Sequence, residues 1–305
     1  MSRALLVGGR SFIGRHLAGE LRSVGAEVVA TSRHEPAGVP LDAEDAAAVD
    51  RLVDRVRPEL LVDLSQAGAG GARNLLAAVA RRAPRCLTLL FGSAAEYGRV
   101  PDAALPIRES WPAVPCTPYG VEKLSRTELA LATARQGKLR VVVLRPFNVV
   151  GAGSPSRLVA GALADRLLLC IPGSVLTVAD PWATRDLVDV RDAARAVVAV
   201  WRSATVAPGR PRLFNVASGK ETAVRELAAW LARLAGGVPV RLDEEGPRSS
   251  IRRSCGDSSG LRRATGWRPR HTWRDSIREL WEDRLRAAAV PPPPVGERAD
   301  RPGLQ

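Results

Sequence analysis

The first half of the chain alternates short apolar runs with longer stretches in which apolar residues recur every three or four positions. RALLV (3–7), AEVVAT (26–31), ELLVDL (59–64), CLTLLF (86–91) and LRVVVLR (139–145) are nearly continuous in apolar character. A strand covered on both faces has that composition, so each run predicts a buried parallel strand. Between them, SFIGRHLAGELRSVG, AEDAAAVDRLVDRV, ARNLLAAVARRA and YGVEKLSRTELALATARQ carry a helical period. This alternation predicts an α/β fold built on a doubly wound parallel sheet.

The pattern loosens near residue 150. GAGSPSRLVAGALADRLL reads as a loop feeding a helix, RDLVDVRDAARAVVAVWRS as a strand and a helix, and RLFNVAS as another strand. AVRELAAWLARLAGG is an amphipathic helix stopped by glycine, and DSSGLRRATGWRP and TWRDSIRELWEDRLRA close the folded part. The expected organisation is a sheet domain over 1–150, to which segments near 186–217 return, and a smaller C-terminal lobe over 151–290. Residues 291–305, PPPPVGERADRPGLQ, read as a disordered tail.

With 305 residues, 46% apolar and 25% charged, the chain has room for one large α/β unit or two domains sharing a core. No apolar run reaches bilayer-spanning length, and the chain starts directly on a strand-like run without the features of an export signal. A cytoplasmic protein with no membrane partner is expected. The net charge of +13 raises the question of nucleic acid, but the arginines are scattered and aromatic residues make up only 4%, poor material for stacking bases. Nucleic acid is therefore not an expected partner, whereas abundant arginine suits small polyanionic ligands. Cys86, Cys116, Cys170 and Cys255 lie far apart, with no CxxC pair and no histidine at ligand spacing, so neither a metal site nor a disulfide framework is expected.

Candidate chemistry begins at LLVGGRSFIG (5–14), which follows the first strand and opens the first helix. That is where a glycine-rich turn cradles a dinucleotide pyrophosphate, with the helix N-terminus supplying donors and positive potential. Gly8 and Gly14 take glycine positions of the fingerprint, Ser11 stands where it has another glycine, and Phe12 and Ile13 complete the turn. The second strand ends ATSRH, where an NAD site usually presents an acid to the ribose. Ser32 and Arg33 stand there instead, with Arg10 in the glycine turn able to close on the same group. These cations point to the extra phosphate of NADP(H).

A second site lies in TPYGVEK (117–123). Residues four apart share one face of a helix, so Tyr119 and Lys123 point at one spot. An ammonium beside a phenol lowers its pKa and keeps donors for ribose hydroxyls, which makes the pair a workable acid–base unit for a carbonyl or alcohol. Ser93, in LLFGSAAEYG (89–98), falls at the carboxyl end of a strand, where open α/β sheets bind ligands, and can hydrogen-bond the reacting oxygen.

Taken in order, GGRSFIG, GSAAEYG, PYGVEK, LRPFNVVGAG, TRDLVDVRDAARAV, FNVASG and GDSSGLRRATGWRP give the chain a resemblance to the extended short-chain dehydrogenase/reductase family of sugar-nucleotide epimerases, dehydratases and reductases. The resemblance implies a Rossmann domain for the cofactor and a C-terminal lobe for a sugar nucleotide. It implies a catalytic triad of Ser93, Tyr119 and Lys123, an acid near the adenine at Asp42, and cofactor contacts at Leu64 and Ser65. Asn148, Arg185 and Arg248 fall on positions that hold the sugar nucleotide. A homodimer packed through two helices per subunit, one of them carrying the Tyr–Lys pair, is also implied. GSAAEYGRVPDAALPIRESWPAVPCTPYGVEK and RPFNVVGAGSPSRLVAGALADRL look most like reductases of GDP-4-keto-6-deoxymannose. Ser11 and the stretch DLSQAG (63–68) depart from the family pattern.

Among the family's reactions, 4,6-dehydration uses acidic residues directly after the catalytic Ser or Thr. Ala94 and Ala95 stand there, and alanine moves no protons. The expected reaction is NADPH-dependent reduction of a nucleoside-diphosphate-4-keto-6-deoxyhexose. A sugar-nucleotide epimerase, a reductase of non-nucleotide carbonyls and a non-catalytic NADP-binding regulator remain as alternatives.

Overall fold

The computed structural model describes residues 2–33, 38–137, 139–203 and 206–289. Strand β1 (Arg3–Val7) passes through α1 (Phe12–Ser23) to β2 (Glu27–Ser32), and a two-residue strand β3 (Val39–Pro40) precedes α2 (Ala46–Val56). Then come β4 (Leu60–Asp63), α3 (Ala69–Arg82), β5 (Leu87–Phe91), α4 (Pro118–Gly137) and β6 (Arg140–Pro146). The second half adds β7 (Asn148–Val150), α5 (Val159–Leu168), β8 (Leu176–Ala179), β9 (Thr184–Asp189), α6 (Val190–Arg202) and β10 (Arg212–Val216). It ends with β11 (Glu221–Ala223), α7 (Val224–Leu234), β12 (Val240–Asp243), α8 (Ser259–Thr265) and α9 (Trp273–Ala289).

Seven strands form one sheet in the order β10-β6-β5-β4-β1-β2-β3, and every pairing is parallel. This is the doubly wound sheet that the alternation predicts. Alternate residues feed two cores. Ala4, Leu6, Leu60, Val62, Leu87 and Leu89 pack on the face covered by α1 and α6, while Leu5, Leu61, Leu90 and Val143 pack under α2, α3 and α4. Burial on both faces is why these strands contain almost no polar residue. The strand order reverses between β1 and β4, which opens a crevice at their carboxyl ends.

The chain comes back to this sheet late: α6 packs on α1, and β10 pairs with β6 from Arg212 to Val216. A third core, around Leu163, Leu167, Val178, Leu187, Leu227, Leu231 and Ile277, is built from α5, α7, α9 and the small sheets β11-β9-β7 and β12-β8. Among the described residues no helix is long and apolar enough to cross a membrane. The proline-rich tail expected over 291–305 lies outside the described residues.

Candidate active site

The glycine turn folds as a tight strand-to-helix connection. Gly8 has φ +74°, and its N–H donates to Thr31 Oγ1 at 3.2 Å, tying the turn to the end of β2. A Cβ on Gly14 would lie 2.6 Å from the backbone of Gly9, so only glycine lets α1 approach β1 this closely. Ser11 is the N-cap of α1, and its hydroxyl accepts the Gly14 N–H at 3.2 Å. Serine at this position thus replaces a glycine with a helix cap. The N–H groups of Phe12 and Ile13 are left without a partner among the described residues, which suits a pyrophosphate at a helix N-terminus.

Beside this turn lies a cavity of about 230 Å³ whose wall includes Gly8, Arg10, Ser11, Ser32, Arg33, Leu64 and Ser65. Arg10 and Arg33, far apart in sequence, therefore face one space, and both are exposed. Leu41 and Ala43 belong to the same wall. Asp42, between them, does not, and its carboxylate accepts the Glu44 N–H at 3.0 Å.

Leu64 and Ser65 are fixed from behind. Asp63, at the end of β4, forms a buried ion pair with Arg126 of α4. Asp63 Oδ1 accepts the Ser65 N–H at 2.9 Å and the Ser65 hydroxyl at 2.7 Å. Arg126 Nη1 donates to the Ser65 carbonyl at 2.9 Å, while its Nε is buried with no partner among the described residues.

Leu64 and Ser11 also border a larger cleft of about 500 Å³, lined by Ser93, Tyr119, Lys123, Asn148 and Arg185. Residues from β5, α4, β7 and β9 thus meet on one space. Gly120 N–H donates to Thr117 Oγ1 at 3.1 Å, which caps α4 just ahead of the Tyr–Lys pair. Lys123 is only 4% exposed and donates to the Phe91 carbonyl at 3.4 Å. Burial, aided by the Arg126 charge, pulls its ammonium pKa down from 10.5 to about 8, against the opposing pull of Asp63.

At Tyr119 the structure departs from the sequence expectation. Lys123 Nζ lies 5.8 Å from the ring centroid, and the phenol is held above its ordinary pKa rather than below it. Burial is the main cause, opposed by the Ser93 hydroxyl and then by Arg157 and Arg126. The residue as a whole is 47% exposed, so solvent screens part of this effect. A raised pKa keeps the phenol protonated at neutral pH, the form in which it donates.

Arg185 Nη2 donates to Ser249 Oγ at 2.9 Å and Nη1 to the Thr184 carbonyl at 2.8 Å. Burial lowers its pKa, opposed by Asp180. Arg248 is exposed and lies outside the cleft, whereas its neighbours Ser249, Ser250 and Ile251 line it. The sequence reading also passed over Arg157, an exposed guanidinium on the cleft wall with no hydrogen-bond or ion-pair partner among the described residues. Its one visible signal was its place at the end of the loop that feeds α5. Arg253 lines the cleft too, but Glu221 and Asp102 hold it through ion pairs. Among the described residues no group of three or more His, Cys, Asp or Glu is placed to hold a metal.

The sequence matches the NAD dependent epimerase/dehydratase family over residues 4–217. The chain belongs to this family. Family membership makes it an NAD(P)-dependent enzyme of sugar-nucleotide epimerisation, reduction or dehydrogenation, in agreement with the resemblance carried by its motifs. It is similar to the dTDP-6-deoxy-L-talose 4-dehydrogenase (NAD(P)(+)) of Kitasatospora kifunensis, 32% identical over 311 residues, covering 92% of this chain and 95% of that one. It is also similar to the GDP-6-deoxy-D-mannose reductase of Pseudomonas aeruginosa, 33% identical over 225 residues, covering 71% of this chain and 72% of that one. Among solved structures, RMD from Pseudomonas aeruginosa complexed with NADPH superposes with a TM-score of 0.81 at 28% identity, covering 93% of this chain and 98% of that one.

Proposed function

We propose that this family member reduces the keto group of a nucleoside-diphosphate-4-keto-6-deoxyhexose with NADPH. The observation that carries the reading is the convergence of Ser93, Tyr119 and Lys123 on one cleft whose adjoining wall is Ala94 and Ala95. Among the described residues no carboxylate lines this cleft to move a second proton. Glu96, the next residue, is fully buried and tied to Arg145 at 2.7 Å, so it faces the core. Two relatives whose names describe oxidation or reduction of 6-deoxy sugar nucleotides support the same reading.

The cofactor supplies a hydride to the carbonyl carbon. Tyr119 donates its phenolic proton to the carbonyl oxygen, and Ser93 orients that oxygen. Lys123 directs its ammonium to the nicotinamide ribose. Asn148, Arg185 and Arg157 hold the sugar nucleotide, the arginines through charge-assisted hydrogen bonds. Arg10 and Arg33 take the 2′-phosphate that distinguishes NADPH. The reading extends to a homodimer through α3 and α4, which pack side by side.

The direct test is NADPH oxidation by the purified protein with 4-keto-6-deoxy sugar nucleotides. Steady NADPH consumption is expected. No consumption, together with interconversion of a hydroxy sugar nucleotide without added cofactor, would identify an epimerase instead. A second measurement tests the cofactor. Arg33→Ala should lower kcat/KM with NADPH by about tenfold to a hundredfold, the worth of a charge-assisted hydrogen bond, and leave NADH nearly unchanged. Equal losses with both cofactors would remove Arg33 from the phosphate site.

A further inference from the structure

We propose that Glu96 and Thr127 form a clamp that fixes Ser93 relative to Tyr119, which makes both of them positioning residues. The inference rests on reading Ser93 and Tyr119 as partners at the reacting oxygen. Thr127 follows Tyr119 and Lys123 along α4 in steps of four residues, so the three share a helical face. The Thr127 hydroxyl donates to Glu96 Oε1 at 3.1 Å. The same oxygen accepts the Ser93 N–H at 2.8 Å. One carboxylate oxygen is therefore bonded at once to the strand end that carries Ser93 and to the helix that carries Tyr119.

The carboxylate is itself anchored. Its other oxygen accepts Arg145 Nε at 2.7 Å, and the Arg145 guanidinium stacks 4.7 Å from the centre of the Tyr97 ring. The Tyr97 hydroxyl donates to Asn215 Oδ1 at 2.7 Å, which reaches β10 on the far side of the network. Ser93 is also held through its side chain, which accepts the Ala95 N–H at 3.1 Å. Neither Glu96 nor Thr127 lines the cleft. A residue pair that lines no part of the cleft yet ties together the segments carrying Ser93 and Tyr119 acts through geometry, where a displacement of about 1 Å costs on the order of a hundredfold in rate.

The test uses the full chain saturated with NADP+. Thr127→Val removes the hydroxyl link, Thr127→Ser keeps it, and Thr127→Ala serves if valine is not accommodated. With only two tyrosines in the chain, phenolate absorbance titrated against a Tyr119→Phe reference isolates Tyr119. The groups that act on that phenol are the Ser93 hydroxyl and the charges of Arg157, Arg126 and Glu96, with Lys123 5.8 Å from the ring centroid. The Ser93 hydroxyl holds the phenol's pKa down, so loosening the clamp should move the Tyr119 titration upward. In turnover, kcat should fall about tenfold or more with KM within about twofold of wild type. Thr127→Ser should restore both readouts. An unmoved titration in Thr127→Val and Thr127→Ala, or a serine variant as impaired as valine, would overturn the clamp. The titration needs no sugar nucleotide, so a wild-type protein that reduces no keto sugar would sink the reductase reading and leave this readout intact.

Discussion

Tyr119→Phe is expected to lower kcat by about 10²–10⁴-fold, the usual worth of a positioned general acid, with NADPH affinity changed less than about twofold. The variant removes one oxygen and keeps the ring. Tyr119 is half-exposed, so the core does not depend on its hydroxyl. Burial holds the phenol above its ordinary pKa, so in the wild type it is protonated when substrate arrives. Phenylalanine leaves the Ser93 hydroxyl on the cleft, but the carboxylate behind it, that of Glu96, is bonded to the Ser93 N–H, Thr127 and Arg145 and not to that hydroxyl. The Ser93 N–H and side chain are both engaged in holding the Ala94–Tyr97 turn. Initial rates of NADPH oxidation, alongside fluorescence titration of NADPH binding, separate the two effects. Turnover within tenfold of wild type would exclude Tyr119 as the proton donor. Loss of NADPH affinity by a similar factor would make it a binding residue instead.

The parts of the molecule legible in the sequence are those set by local physics. Parallel strands buried on both faces must be apolar throughout, so β1, β4 and β5 announce themselves as runs. β3, two residues long, leaves no pattern to find. In the site, the Gly8–Gly14 turn and the Tyr119–Lys123 spacing were legible because each lies within a single element or connection. Ser249 and Arg157 were not. Ser249 reaches the cleft because Asp180 accepts its N–H at 2.7 Å and Arg185 donates to its hydroxyl, contacts between segments far apart in sequence. The family resemblance points to Arg248, one residue away, but a shift of one residue in a loop turns the side chain out to solvent. Glu96 did carry a local signal. Ser93 and Glu96 form a capping box, S-x-x-E, with both reciprocal bonds present. Read as a cap, the carboxylate is committed to the backbone, which is why it is not available as a dehydratase acid.

The largest effect on stability is expected at a residue that the cleft does not expose. Asp63→Asn leaves the Arg126 guanidinium buried without a counter-charge, since the two side chains are 1% and 3% exposed. Breaking one side of such a pair costs about 3–5 kcal/mol, so denaturant or thermal unfolding should show a large loss. The same substitution reaches the active site through Lys123. Asp63 raises that ammonium's pKa and Arg126 lowers it. Removing Asp63 should therefore drop the pKa below about 8, and activity that requires the charged lysine should decline at lower pH than in the wild type. Stability moves the other way with pH. In the wild type the unfolded chain holds the Lys123 proton up to its ordinary 10.5 whereas the folded chain releases it near 8, so this group's contribution to stability rises across that window. A second variant, Asp63→Asn with Arg126→Met, distinguishes lost charge balance from lost packing. Removing both charges should recover much of the stability, as apolar replacement of buried pairs does. Because Arg126 is the stronger of the two influences on Lys123, the alkaline limb should then move above its wild-type position. An alkaline limb that stays fixed in both variants would show that Lys123 does not set it. A single variant as stable as the wild type would show that Asp63 and Arg126 do not depend on each other for burial.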